Sequence, residues 1–206
     1  MKLVFDFGGV LFDWRPAELL KTVLPARAVD DASALHWVEQ VFQGYGGDWG
    51  AFDRGELSAD EVAARIVERT GLAETEMRAI VDAIPGLLKP IAPTVALLDR
   101  LRASGLPLYF LSNMPAPYAE HLEREHHFVG WFHGGVFSGR ERLSKPDPAI
   151  FALAAQRFGA APEELVFFDD HLPNIAAARE AGWTALHFVD AGRAEHDLRA
   201  LGWSGA

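Results

Sequence analysis

Residues 3–9 read Leu3-Val4-Phe5-Asp6-Phe7-Gly8-Gly9, an apolar, β-prone run broken by one carboxylate and closed by two glycines. A short continuous apolar run bounded by glycine is the pattern of a strand buried on both faces and ending in a tight turn. The carboxylate at its exit has two readings: it caps the turn, or it faces incoming backbone amides and a ligand. The rest of the chain decides between them.

Similar runs recur downstream. Leu108 to Leu111 ends in Ser112-Asn113, Leu165 to Phe168 ends in Asp169-Asp170, and Ala185 to Val189 is a fourth; Gly135 to Phe137 is a weaker one before Ser138-Gly139. Helical patterns lie between or beside them, at Thr94 to Ala103, Ala149 to Phe158 and Ile175 to Ala181, the last stopped by Gly182. Asp190 to Leu201 is a closing helix. Apolar strands alternating with helices imply an α/β fold, a Rossmann-like parallel sheet covered on both faces. In such sheets ligands bind beyond the carboxyl ends of the strands. Three of these strands deliver polar residues to that rim: Asp6, Ser112-Asn113 and Asp169-Asp170.

Residues 16–88 break the alternation. They hold helical patterns at Pro16 to Leu24, Ala32 to Gln43, Ala59 to Arg69 and Glu74 to Ile84, and no strand; Ser58 to Glu61 has the form of a capping box. Pro85-Gly86 and Pro90 to Pro93 read as punctuation on the way back to the sheet. The expected organisation is a core of residues 1–15 and 89–206, with a helical insert over 16–88 above the rim.

Composition bounds the chemistry. The 206 residues suit one domain with a modest insert, and 50% apolar content supports a sizeable core. Nineteen basic against 29 acidic residues leave a formal charge of -10, which argues against nucleic acid or an anionic membrane as partner. There is no cysteine, so disulfides, thiolate nucleophiles and Cys-ligated metals are excluded. No run reaches the ~20 apolar residues of a membrane helix, and the N-terminus lacks signal-peptide character, so the expected location is cytoplasmic. Two adjacent acids, Asp169 and Asp170, repel each other unless a cation or donors compensate, and hard oxygen ligands suit Mg2+. His121, His126, His127 and His133 read as titratable residues of a surface helix rather than a metal cluster.

Taken in order, Phe5-Asp6-Phe7-Gly8-Gly9-Val10-Leu11-Phe12, Leu111-Ser112-Asn113, Lys145-Pro146 and Phe168-Asp169-Asp170 to Asn174 resemble the haloacid dehalogenase superfamily, across nearly the whole chain. The opening segment and the run from Val166 to Ala178 look like its glucose-1-phosphatase-like branch. The resemblance implies that Asp6 is the nucleophile, forming an aspartyl-phosphate. It implies Mg2+ held by Asp6, the Gly8 carbonyl and Asp170, with Asp169 a direct or supporting ligand. Ser112, the Asn113 amide and Lys145 match phosphate binding, Lys145 also pairing with the nucleophile, and Asn174 fits a supporting position. The insert takes the place of the family's helical cap.

The resemblance also exposes a departure. Most phosphatases of the family carry an acid two residues after the nucleophile, where this chain has Gly8. Proton transfer of that kind is worth ~100- to 10,000-fold. A sugar 1-phosphate, with its better leaving group, is one way round the gap, and Asp13 or His171 are the nearest replacement acids in sequence. The expected activity is Mg2+-dependent hydrolysis of a small phosphorylated metabolite, a sugar phosphate. Two alternatives stay open: a metal-free 2-haloacid dehalogenase using Asp6, and a non-catalytic phosphate-binding or regulatory protein. Gln43 to Trp49, rich in glycine and aromatics, reads as a specificity loop, with Tyr45 or Trp49 able to stack on a sugar, or as a turn packing the insert's core. Phe52-Asp53-Arg54-Gly55-Glu56 resembles a cap segment without identifying a substrate.

Overall fold

The computed structural model describes residues 1–205. In chain order the elements are β1 (Lys2–Phe5), β2 (Phe12–Asp13), α1 (Pro16–Val23), α2 (Asp31–Phe42), α3 (Gly47–Asp53), α4 (Ala59–Thr70), α5 (Glu74–Leu87), β3 (Lys89–Pro90) and α6 (Ala92–Ala103). They continue with β4 (Leu108–Ser112), α7 (Ala116–Glu125), β5 (Gly134–Phe137), α8 (Pro148–Arg157), β6 (Leu165–Asp169), α9 (Leu172–Glu180), β7 (Thr184–His187) and α10 (Ala191–Ala200). Five strands form one parallel sheet in the order β5-β4-β1-β6-β7. This is the α/β class expected from the apolar runs. Among the described residues no helix is long and apolar enough to cross a membrane.

The period-two geometry of a strand explains why β1 can be apolar throughout. Leu3 and Phe5 enter one core cluster and Val4 the other, and all three are fully buried. Phe5 stacks on Phe168 of β6, 5.0 Å between ring centroids. Complete burial of such a side chain contributes ~1.5–3 kcal/mol. The cluster on the Phe5 face runs on through Phe7, Leu11 and Phe12 to Leu20, Phe42, Trp49 and Phe52. The helical segment therefore shares apolar packing with the sheet rather than hanging from it.

Three local features depart from the sequence reading. Phe12–Asp13 and Lys89–Pro90 pair as a two-residue antiparallel ribbon where the chain leaves and re-enters the core. Gly47 to Asp53 is a helix, with Trp49 packed edge-on against Phe42 and Phe52. Pro85-Gly86 does not stop α5, which continues to Leu87. A proline inside a helix removes the donor to the carbonyl four residues earlier. Here that carbonyl belongs to Val81, and the Tyr118 hydroxyl of α7 donates to it at 2.9 Å. A core side chain thus supplies the missing hydrogen bond and lets the helix run on. The capping box of Ser58 is present: its Oγ accepts from Glu61 N, and Glu61 Oε2 accepts from Ser58 N.

Candidate active site

The adjacent strands β4, β1 and β6 end side by side, and their exits carry the polar residues. Asp6 follows β1 directly, and its own amide still donates to the Phe168 carbonyl, so its backbone is fixed by the ladder. The turn beyond is tight: Leu11 and Phe12 amides both donate to the Phe7 carbonyl, and Gly9 takes a φ of +72°. Asp6 Oδ1 accepts from the Phe7 amide at 2.7 Å and from Lys145 Nζ at 2.9 Å. Its Oδ2 has no hydrogen-bond partner among the described residues, so one oxygen is pinned and the other is free.

Lys145 is buried between two carboxylates, with Asp169 Oδ2 at 2.6 Å. Burial works against its charge, but Asp169 and Asp6 outweigh that and hold the ammonium above its ordinary value. The backbone of Lys145 is clamped by Asn113, whose Oδ1 accepts from Lys145 N at 2.8 Å while its Nδ2 donates to Lys145 O at 2.9 Å. The Asn113 side chain is therefore committed to placing Lys145.

Asp169 is fully buried and its oxygens are well occupied. Besides Lys145 it accepts from the His171 amide at 2.8 Å and from Asn174 Nδ2 at 3.0 Å on each oxygen. Asn174, expected in a supporting role, sits at that position. Asp170 is the freer of the pair. Burial raises its carboxyl, and the Asp169 charge adds to the rise. Burial also pushes Asp6 up to about 7, with Lys145 lowering it and Asp169 and Asp170 raising it.

One oxygen each from Asp6, Asp169 and Asp170 lie within 4.8 Å of one another. Three carboxylates so close, with only Lys145 among them as cation, leave negative charge that a hard divalent ion would neutralise. The donor set is all oxygen, and it fits Mg2+. Gly9 belongs to the same construction: a Cβ there would overlap the Asp170 carboxylate. The Gly8 carbonyl stands on the same turn. At Gly8 itself the space is open, since an added Cβ would meet only Trp14 Cβ, at 3.9 Å. The absent acid at this position is therefore no consequence of crowding.

These groups open on one cavity of about 240 Å3, lined by Asp6, Gly8, Ser112, Asn113, Lys145 and Asp170 on the sheet side. Ser112, nearly fully buried at the end of β4, is among them, as is His171. The rest of the lining comes from Trp14 after β2, from Trp49, Asp53, Ile84 and Leu88 of the helical segment, and from Met114 and Tyr118 in and before α7, and apart from Asp53 and the tyrosine hydroxyls it is apolar. Tyr45 also faces the cavity, its hydroxyl accepting from Trp14 Nε1 at 2.9 Å. Asp13 is not in the wall; it pairs with Arg15 at 2.9 Å. The four segments joined by the sequence analysis thus meet at one cavity. Among the described residues the histidines at 121, 126, 127 and 133 form no candidate metal cluster.

Two residues, one beside this cavity and one in its wall, carry more structure than the sequence indicated. Ser138 is fully buried; its Oγ accepts from Met114 N at 2.8 Å and donates to the Asp53 carbonyl at 2.5 Å. It fastens α3 to the loop after β4. Asp53 itself is buried in the cavity wall. Only the Ser-Gly step after β5 hinted at the first, and nothing in the spacing of the second set it apart from a surface acid.

Comparison with known proteins gives a consistent picture. The family model for haloacid dehalogenase-like hydrolases matches residues 3–182. A sesquiterpene phosphatase, astK, of Aspergillus oryzae is 29% identical over 198 residues, covering 96% of this chain and 94% of that protein. A HAD family enzyme of Bacteroides thetaiotaomicron, solved with magnesium and inorganic phosphate, superposes with a TM-score of 0.70 at 22% identity over 92% of this chain and 94% of its own. L-2-haloacid dehalogenase of Xanthobacter autotrophicus, with chloropropionic acid covalently bound, gives 0.69 at 18% identity over 97% and 82%. Both solved structures establish the fold alone.

Proposed function

The chain belongs to the haloacid dehalogenase-like hydrolase family, and from that premise we propose that it is a Mg2+-dependent phosphatase acting through an aspartyl-phosphate on Asp6. The observation that carries the reading is the pinning of Asp6 Oδ1 by Lys145 and the Phe7 amide while Oδ2 stays free. In this reading Oδ1 is fixed, Oδ2 attacks phosphorus in line with the ester oxygen, and the P–O bond breaks with its electron pair going to that oxygen, which leaves as the alcohol by taking a proton from water, since Gly8 offers no acid there. Water then attacks the phosphorus of the aspartyl-phosphate, releasing inorganic phosphate and returning the carboxylate. Ser112, the Asn113 amide and Lys145 hold the phosphoryl oxygens, and Asn113 serves a second purpose by fixing Lys145. Asp6, the Gly8 carbonyl and Asp170 would hold Mg2+, with Asp169 as its supporting neighbour, already engaged with Lys145 and Asn174. When bound, the ion supplies charge neutralisation for an anion attacking an anion. Residues 16–88 act as a cap that shields the cavity from water.

The carboxylate trio and the buried ammonium favour phosphoryl transfer over metal-free halide displacement, because a haloacid carries one negative charge and leaves nothing for a divalent ion to neutralise. For the organic group, the apolar part of the lining supports a reading. Trp14, Trp49, Ile84, Leu88 and Met114 offer few partners for a ring of hydroxyls, so an apolar alcohol fits better than the sugar expected from sequence. The name of the Aspergillus relative supports the same direction. A sugar stacked on Tyr45 is the second reading, since that ring also faces the cavity. The lack of cysteine is compatible with the cytoplasmic setting that belongs to this proposal.

The test is phosphate release from a panel of prenyl, alkyl and sugar phosphates, with Mg2+ and with chelator, beside 2-chloropropionate. Mg2+-dependent release that Asp6→Asn abolishes in a folded protein is expected, with prenyl or alkyl esters preferred. Chloride release without metal would transfer the chain to the dehalogenases. Binding of phosphate without turnover on any ester would mark it as non-catalytic.

A further inference from the structure

Asp53 is a buried carboxylate that nothing in the proposed chemistry uses. It ends α3, is 5% exposed, and lines the same cavity as Asp6. Neither of its carboxyl oxygens has a hydrogen-bond or ion-pair partner among the described residues, yet neither is sealed off, and the residue lines the cavity. A buried polar group without a partner is a standing free-energy cost of ~1–3 kcal/mol, and it is tolerated where something else completes it.

Its position is fixed, not incidental. The Asp53 carbonyl accepts from Ser138 Oγ, which also holds the Met114 amide of the phosphate-side loop. Two residues on, Gly55 (φ +68°) lies so close to the Gly139 carbonyl that no Cβ would fit. Phe52 meets Tyr118 edge-on at 5.5 Å. This end of α3 is thus pressed onto the core beside the site.

Its distance from the chemistry is also legible. The charges that act on Asp6 are those of Lys145, Asp169 and Asp170. The one that acts on Asp53 is Arg54, whose own guanidinium is occupied by Glu56 at 2.8 Å. Asp53 stands on α3, outside the cluster that Asp6, Asp169 and Asp170 form, so it meets the organic group of a bound ester rather than the carboxylate cluster.

Resting on the phosphatase reading above, we propose that Asp53 is a specificity-determining residue that hydrogen-bonds a hydroxyl on the substrate's organic group, remote from the phosphate. The substrate class is then the monophosphate of an otherwise apolar diol. Two observations set a hydroxyl above an amine. Burial pushes the Asp53 carboxyl up to about 8, so near neutrality it carries a proton and can both donate and accept, as a hydroxyl does. The groups facing it from neighbouring elements, Tyr45 and Tyr118, are themselves uncharged, their hydroxyls raised by burial.

The experiment compares kcat/KM for a series of α,ω-alkanediol monophosphates with the matched alkyl phosphates and ω-aminoalkyl phosphates, in Mg2+, for the intact chain and for Asp53→Asn and Asp53→Leu. At the length that spans the cavity, the wild type is expected to favour the diol ester at least tenfold. Asp53→Asn keeps a preference, because an amide still donates and accepts. Asp53→Leu erases or reverses it, chiefly through KM for the diol ester. Equal kcat/KM for diol and alkyl esters at every length, a preference for the amine, or a diol preference that survives Asp53→Leu would each overturn the proposal. No phosphate release from any ester would instead bring down the phosphatase reading beneath it. Should Asp53→Leu not fold, the wild-type ratio and Asp53→Asn decide the matter.

Discussion

Replacing Lys145 by methionine tests the electrostatic frame of the site without reference to any substrate. The side chains of Lys145 and Asp169 are 1% and 0% exposed and that of Asp6 11%, so the ammonium is the buried counterion of two carboxylates at 2.6 and 2.9 Å. Methionine fills similar space but carries no charge. Removing one member of a buried ion pair costs about 3–5 kcal/mol, because the partner is left uncompensated. For a chain of this size that is a fall of roughly 6–20 °C in Tm. The pH dependence follows from proton linkage. Without Lys145 the folded-state pKa of Asp6, already raised to about 7 by burial, rises further above the unfolded value of about 4. A raised carboxyl pKa means that the folded state binds more protons, so its stability is lost as pH rises through that window. The destabilisation is therefore largest at neutral pH and shrinks toward pH ~5, where the Asp6 carboxyl is protonated. Thermal unfolding of wild type and Lys145→Met across that range, in chelator, measures it. Adding Asp169→Asn to Lys145→Met should recover part of the loss, since Asn174 and the His171 amide keep partners there. A variant within about 1 kcal/mol of wild type at neutral pH, or one whose loss grows in acid, would refute the ion-triad argument.

Two further substitutions probe the turn after β1. Gly8→Asp has room for its side chain, with only Trp14 Cβ near the new Cβ. It should fold and should raise kcat more for alkyl phosphates than for aryl phosphates, whose leaving groups need no proton; an equal gain on both would show that the new carboxyl does not act as an acid. Gly9→Ala meets both a φ of +72° and the Asp170 carboxylate. It should lower stability by ~1–3 kcal/mol and weaken Mg2+ binding measured by calorimetry, and unchanged affinity would argue that Asp170 is no ligand.

The parts of the fold that were legible are those whose physics is local to the strand. β1, β4 and β6 are buried on both faces, so they read as unbroken apolar runs, and the polar residues at their exits marked the rim in advance. The features missed are made by tertiary contacts. Phe12–Asp13 and Lys89–Pro90 are too short, and one contains a proline, to show a strand pattern. The helix Gly47–Asp53 contains three poor helix formers in its first four residues, and it is held by Trp49 and Phe52 packing on Phe42 and Tyr118. Pro85 looked like a stop because its usual penalty is an orphaned carbonyl; the remedy, Tyr118, lies more than thirty residues away in sequence.

The site divides along the same line. Asp6, Ser112, Lys145 and the acidic pair announced themselves because each stands at an element boundary and the sheet's topology brings those boundaries together. Asp53 stands at a boundary too, at the end of a helix, but its importance comes from what surrounds it. Phe52-Asp53-Arg54-Gly55-Glu56 resembles a cap segment without identifying a substrate, and the structure turns its arginine to Glu56. The carboxylate is left facing an apolar wall with its backbone tied down by Ser138. Sequence can show that an acid is present. Only the packing shows that it has no partner among the described residues, and in a cavity that would hold an ester that lack assigns the missing partner to the ligand.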